Sequence, residues 1–234
     1  MNRVRGVLVP SLLVVLGSLA AAQSPPFSVG NLEGRYARFL GAEGARRYFQ
    51  ELPFEVGASD EKAVELRVKG QTYRVELVAI HDADDCETCG GVVDALVFRD
   101  GAPFLLEKGV FESGSHGRAY TGNETAVVPL TQDSEGLAIT GEMWAARGCK
   151  VLTADLFGID VAGRALKHVF ARTEESCEGE ETLVKGLSFG PKGFDSAGHG
   201  LFLVTVLDQK GHREEKTTEK YRFDPARWTL VPLQ

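Results

Sequence analysis

Beyond Phe54, the sequence is built from alternating apolar and polar runs that are joined at glycine. The segment "AVELRVKGQTYRVELVAI" alternates on both sides of Lys69-Gly70, and "GVVDALVFRDGAPFLLEKG" does so around Asp100-Gly101. A period of two places successive side chains on opposite faces of a strand, and a glycine dipeptide between two such runs is typical of a tight hairpin turn. Further turns are predicted near Gly148, Gly163 and Gly211. This pattern confines most of the chain to antiparallel hairpins.

Three segments repeat one plan of strand, glycine turn and answering strand. They are "LVFRDGAPFLLEKG", "DLFGIDVAGRALKHVF" and "VTVLDQKGHREEKTTEKYRF". Such units build sandwiches and propeller blades, but three are too few for a closed propeller of four or more blades. We therefore predict a mainly β fold over residues 54–234. Its architecture is an antiparallel, hairpin-rich β-sandwich or a partial propeller-like arrangement of about ten strands.

A helical segment is predicted before the strands, over residues 31–53, after a leader at 23–30. In "NLEGRYARFLGAEGARRYFQEL" the apolar residues fall on two helical stripes, which are Leu32, Tyr36, Phe39 and Leu40, and then Ala45, Tyr48, Phe49 and Leu52. Gly41 and Gly44 weaken the middle, and Pro53 ends the segment. The sequence thus indicates two short helices or one kinked helix.

Residues 1–22 have the pattern of a secretory signal peptide. Arg3 and Arg5 precede the apolar run "GVLVPSLLVVLGSLA", and small residues follow up to Ala22. The run is short for a membrane span of about 20 residues, and no second apolar stretch is long enough. We expect cleavage after Ala22 and a soluble mature chain without a membrane span, exported to the periplasm or the extracellular space.

The charge balance argues against nucleic acid as a partner. Removing residues 1–22 takes away two arginines and no acidic residue, so the formal charge changes from −7 to −9. Such a chain repels phosphate backbones unless it carries a basic patch. The one arginine cluster in the sequence, Arg35, Arg38, Arg46 and Arg47, is interpreted as the solvated face of the helix. The expected partner is an unidentified protein, polymer or ion.

The stretch "HDADDCETCGG", residues 81–91, concentrates chemically active side chains. The Cys86 and Cys89 spacing is that of thiol-disulfide exchange sites, but a β-branched run follows it rather than a helix. The surrounding acids disfavour a thiolate, so a redox centre is not expected. The favoured interpretation is an acidic loop with a local disulfide, and with no metal or other cofactor bound.

Two metal sites are alternatives for the same loop. Zinc would take His81, Cys86 and Cys89, one ligand short of a closed tetrahedron. Calcium would take carboxylate oxygens from Asp82, Asp84, Asp85 and Glu87. The EF-hand pattern is not met, because Glu87 stands where that loop requires glycine.

The remaining cysteines, Cys149 and Cys177, flank a predicted hairpin. Antiparallel pairing brings them together at its open end, and an oxidising compartment favours a bond. We predict a Cys149–Cys177 disulfide.

Other motifs give little evidence of catalysis. "GLSFG" matches the nucleophile elbow G-x-S-x-G, but glycine and proline follow where a helix is required, so Ser188 is interpreted as a loop serine. The histidines are scattered at His116, His168, His199 and His212. Trp144 alternates with Met143 on a strand and would mark a binding surface if it were exposed.

The sequence favours a non-enzymatic binding or structural module of the cell envelope or extracellular space. The alternatives are a metal-binding protein that uses the His81–Cys89 loop and a secreted hydrolase. A hydrolase would need carboxylates from distant strands, and the candidates are Asp82, Asp94, Asp155 and Asp160.

Overall fold

The structure is a computed structural model that describes residues 29–82, 91–113, 124–145, 149–177, 182–211 and 213–233. These residues form one helix, α1 (Val29–Gln50), and twelve strands. The strands are β1 (Val56–Val68), β2 (Gln71–Asp82), β3 (Gly91–Arg99), β4 (Ala102–Ser113), β5 (Glu124–Thr131), β6 (Ser134–Ala145), β7 (Cys149–Asp160), β8 (Ala165–Cys177), β9 (Thr182–Phe194), β10 (Gly200–Lys210), β11 (Arg213–Asp224) and β12 (Thr229–Pro232). The predicted mainly β, antiparallel fold with a short N-terminal helix is confirmed.

Consecutive strands form three antiparallel meanders of four strands each, β1–β4, β5–β8 and β9–β12. The first two share one curled, eight-stranded sheet, ordered β4-β3-β2-β1-β6-β7-β8 with β5 paired to β6. They are joined at a single register pair, Val68 with Ser134. The third meander is a separate sheet, ordered β12-β11-β10-β9.

Because side chains alternate along the strands of the middle meander, each of its two faces packs into a separate core. Between the first two meanders, Val75, Val97, Leu137 and Phe157 belong to one buried cluster. Between the second and third, Leu130, Leu156, Phe202 and Phe223 belong to another. The middle meander is therefore buried on both faces, which explains the apolar runs in β6 and β7.

The helix covers the outer face of the first meander. Leu32, Tyr36 and Phe49 of α1 pack against a set of β2 and β3 residues, Val78, Ile80, Leu96 and Phe98. The helix is kinked at Gly41, whose φ of 74° and ψ of 163° lie outside the helical region. Because glycine alone takes this conformation without strain, the kink falls where the sequence indicated it.

Two predicted hairpin turns are present as two-residue loops. Val68 pairs with Gln71 across Lys69-Gly70, and Arg99 pairs with Ala102 across Asp100-Gly101. All four turn residues have positive φ, near 51° for Lys69 and Asp100. This is the turn whose twist matches that of the flanking strands. These turns lie at one end of the first two meanders, together with residues 161–164, and we call this the turn end.

Two parts of the strand assignment differ from expectation. The sequence analysis did not predict β5. It also placed Ser188 in a loop, whereas Ser188 lies within β9 and pairs with Thr205 of β10. A register shift between Leu201 and Phe202 of β10 lets β9 continue past Pro191. β9 is an edge strand, where proline is tolerated because one side of the strand has no partner strand in the described part of the chain.

Within the described residues, no helix is both long and apolar enough to span a bilayer.

Candidate functional site

Most of the cysteine-containing acidic stretch lies outside the described residues. This applies to Asp84, Asp85, Cys86 and Cys89, so the stapled-loop prediction and the zinc and calcium alternatives stay predictions. His81 and Asp82 are the last two residues of β2. His81 pairs with Ala58 of β1 and Gly91 of β3.

The Cys149–Cys177 disulfide is present, as predicted. The two cysteines are register partners at the ends of β7 and β8. The Glu175 carboxylate lies near both sulfur atoms. Metal ligation needs free thiolates, so this cluster is a covalent cross-link rather than a metal site.

Trp144 lies in β6 and pairs with Lys150 of β7, but its side chain is outside the described part of the structure. Its proposed role in binding stays a prediction.

Three of the four candidate hydrolase acids have separate local partners. The Asp155 Oδ1 atom lies 2.8 Å from Nε2 of His168, whose ring stacks on Phe157. The Asp160 Oδ1 atom accepts the Gly163 N–H at 3.0 Å, inside the β7–β8 turn. Asp94 faces the helix. None of these contacts brings two of the candidate carboxylates together. The fourth candidate, Asp82, is the last residue of β2.

Asp94 is completely buried and binds both halves of the kinked helix to the sheet. Its Oδ2 accepts hydrogen bonds of 2.6 Å from the hydroxyls of Tyr36 and Tyr48, which lie on either side of Gly41. Its Oδ1 accepts the Gly109 N–H at 2.8 Å. Burial, then the negative charge of Asp94, raises the pKa of both tyrosines far above the usual value near 10. With three donors satisfied, this cluster is a structural connection.

The candidate binding site is a groove of 500 Å³ at the turn end, between the first and second meanders. Residues of the β3–β4 and β7–β8 hairpins line it: Arg99, Asp100, Ala102, Pro103, Phe104, Val161, Ala162 and Arg164. We call it the arginine groove. It combines two guanidinium groups and one carboxylate with a floor of small and apolar side chains.

Both arginines pack on the same aromatic ring. The guanidinium carbons of Arg99 and Arg164 lie 5.5 and 5.1 Å from the centroid of Phe104. The Arg164 Nη2 also donates to the Phe104 carbonyl oxygen at 2.6 Å. Within the described ranges, neither guanidinium forms an ion pair with a carboxylate. The ring therefore holds two cations and, apart from the Arg164 Nη2 donor bonded to the Phe104 carbonyl, leaves their N–H donors available to an anion.

The backbone of Arg164 has the left-handed conformation of a tight turn. Its φ is 48°, in the left-handed region where glycine is the usual residue, and an L-residue there costs about 1–2 kcal/mol. The preceding residue, Gly163, does not occupy that position. Lys69 and Asp100 have a similar φ in the other two turns, so this conformation belongs to the turn. From this position the Arg164 guanidinium reaches across to β4.

A second groove, of 410 Å³, adjoins the first through the shared residue Asp100. Its two arginines, Arg38 and Arg74, are bonded to neighbouring groups of the protein. Arg74 lies 2.8 Å from Glu76, and Arg38 donates to the Gly101 carbonyl oxygen at 2.9 Å while packing on Phe98. Arg38, Arg46 and Arg47 are exposed, as the solvated-face interpretation predicts, whereas Arg35 is half-buried and forms ion pairs with Glu61 and Glu76. The mixed charges make this groove a weaker candidate.

The sequence analysis did not identify the arginine groove. Arg99 and Arg164 are 65 positions apart and have no motif in common. The one local signal is an arginine rather than glycine at the last position of the "VAGR" turn, and its φ is evident only in the structure.

Comparison with protein-family models, with curated proteins and with solved structures gave no significant match to this chain. The function is therefore inferred from the geometry of the groove.

Proposed function

We propose that this protein is an exported binding protein that holds a carboxylate-bearing ligand in the arginine groove. The observation that carries the proposal is the pair of guanidinium groups, Arg99 and Arg164, packed on Phe104 without carboxylate partners among the described residues. A guanidinium matches the planar, two-oxygen geometry of a carboxylate, and stacking on a ring orients its donors in advance.

The lining of the groove favours a carboxylate that is attached to an apolar group. Pro103, Phe104 and Val161 offer carbon surface beside the two cations. Asp100 and the net negative charge of the chain oppose doubly charged anions more strongly than singly charged ones. An organic monocarboxylate fits these constraints better than inorganic phosphate.

Binding is tested by titrating the mature protein with hexanoate, acetate, hexanamide and inorganic phosphate, followed by NMR chemical shifts. We expect hexanoate to bind most tightly and to shift signals at Arg99, Phe104 and Arg164. Hexanamide, which has the same alkyl chain without the charge, should bind at least tenfold more weakly. Equal binding of hexanoate and hexanamide, or shifts confined to other parts of the molecule, would contradict the proposal.

Variants separate the groove from general charge effects. Arg99→Gln with Arg164→Gln should abolish hexanoate binding. Arg213→Gln is the matched control, because this arginine lies on the third meander and its side chain is 83% exposed. If the double variant and the Arg213→Gln control both bind hexanoate as tightly as the native chain, the groove is not the binding site.

Export is supported by the pattern of residues 1–22, which lie outside the described residues, and by the disulfide, which is typical of oxidising compartments. N-terminal sequencing of protein recovered outside the cytoplasm should begin at Gln23. A chain that retains Met1 would contradict both cleavage and the proposed soluble, exported form.

A further inference from the structure

We infer that the ligand is the C-terminal segment of a polypeptide, which binds the outer edge of β4 as an added strand and places its terminal carboxylate in the arginine groove. This inference rests on the proposed function and names the class of ligand for the same site. It is carried by the unpaired edge of β4, by the position of the two arginines at one end of that edge, and by the limits of the edge at both of its ends.

The edge of β4 has no strand partner among the described residues. β4 and β8 are the two ends of the eight-stranded sheet, and no backbone ladder joins them. They approach at the turn end, where Phe104 and Leu166 belong to one core cluster. There the Phe104 carbonyl accepts its hydrogen bond from the Arg164 guanidinium, as it would from a neighbouring strand. An unpaired edge of this kind is a template for strand addition.

The accessible part of this edge is bounded at both ends. Pro103 lies at its beginning and has no N–H to donate. At its other end β4 bulges, since Ala95 pairs with Glu107 but Val93 pairs with Phe111. Between these two pairs, the ladder of β3 and β4 is interrupted at Gly109, whose φ is 59°. The register also shifts at the beginning, since Phe98 pairs with Pro103 but Val97 pairs with Leu105, which leaves Phe104 outside the ladder. The regular edge available to a partner is therefore the stretch 105–107, which matches a peptide of about three residues.

The arginine groove lies at the Phe104 end of this stretch, which fixes the direction of the peptide. β4 runs away from the turn end, whereas the peptide must finish there to place its carboxylate against Arg99 and Arg164. The added strand is thus antiparallel to β4. Its last side chain meets Pro103 and Val161, so an apolar C-terminal residue is expected.

The test uses the mature protein and a short peptide, acetyl-Thr-Val-Thr-Val-Leu, with a free C-terminal carboxylate. Its matched controls are the same peptide as a C-terminal amide and the free acid with alternate backbone amides N-methylated. We expect the free acid to bind at least tenfold more tightly than hexanoate and than either control. Hydrogen exchange at residues 105–107 should slow when the free acid is bound.

The outcomes distinguish this inference from the proposed function. Suppose hexanoate binds in the groove, but the free-acid peptide binds no tighter than hexanoate and leaves exchange along β4 unchanged. The carboxylate site then stands and the strand-addition inference is wrong. If the N-methylated peptide binds as well as the free acid, backbone pairing is also refuted. Loss of both hexanoate and peptide binding refutes the proposed function itself.

Discussion

At the residue scale, the structure depends most visibly on Asp94. Its side chain has no exposed surface and accepts from Tyr36, Tyr48 and the Gly109 N–H. The carboxylate stands opposite the bulge in β4, where the strand offers a backbone donor instead of a ladder partner. A buried charge is tolerated there because each of its oxygens is hydrogen-bonded.

We predict that Asp94→Ala lowers the free energy of unfolding by about 2–4 kcal/mol, because it leaves buried donors without an acceptor. Urea denaturation followed by circular dichroism measures the change. Asp94→Asn keeps the shape and one acceptor oxygen, so it should lose less. A change below about 0.5 kcal/mol for the alanine variant would show that the cluster contributes little, since surface substitutions have effects of that size.

The same cluster predicts a loss of stability at alkaline pH. Burial and Asp94 raise the pKa of Tyr36 and Tyr48 in the folded state, so only the unfolded chain releases these protons above about pH 10. The stabilisation is complete below pH 10 and falls as the pH rises, by up to about 1.4 kcal/mol per pH unit for each tyrosine. Urea midpoints between pH 8 and 11 should decline less steeply in the Tyr36→Phe, Tyr48→Phe double variant. Parallel declines would contradict this assignment.

At the element scale, α1 is two helical segments held at an angle by Gly41. Tyr36 precedes the kink and Tyr48 follows it, and their rings stack 5.4 Å apart. In a straight helix, twelve residues would separate the two tyrosines by about 18 Å along the axis, too far for both hydroxyls to reach one carboxylate. The kink therefore positions the tyrosines on Asp94.

Two glycines of α1 should respond in opposite directions to substitution by alanine. Gly41→Ala should destabilise by about 1–2 kcal/mol, because its positive φ disfavours a Cβ atom although space is open around it. Gly34→Ala, on the same helix with ordinary φ and equally open space, should stabilise by about 0.5–1 kcal/mol. Thermal unfolding of the two variants checks both signs. Equal effects would mean that the kink is not set by the backbone of Gly41.

At the scale of the whole molecule, the middle meander supports both of its neighbours. Leu137 faces the core shared with the first meander, and Ala138 faces the core shared with the third. The Cys149–Cys177 disulfide closes the end of β7 and β8 within this central layer. A covalent constraint there should affect the unfolding of the entire chain.

Replacing both Cys149 and Cys177 with alanine should lower the free energy of unfolding by about 3–4 kcal/mol, since the bond closes a long loop in the unfolded chain. The variant is made in a Trp144→Phe background, so that fluorescence comes from Trp228 alone and reports on the third meander. Circular dichroism and this fluorescence should show one common, lowered midpoint. Cys86→Ala with Cys89→Ala is the matched control. The short ring predicted there should contribute less. An unchanged fluorescence midpoint in the first variant would mean that the third meander unfolds independently.

The sequence by itself determined the features that depend on neighbouring residues. The turns at Gly70 and Gly101, the kink at Gly41 and the disulfide across one hairpin follow from local backbone preference and strand register. Only the tertiary structure decided which distant side chains meet. Asp94 reaches the helix because even-numbered residues of β3 face outward, and Arg99 meets Arg164 because two hairpins from different meanders share the turn end. Periodicity specifies a face of a strand, whereas the packing of the meanders selects what that face contacts.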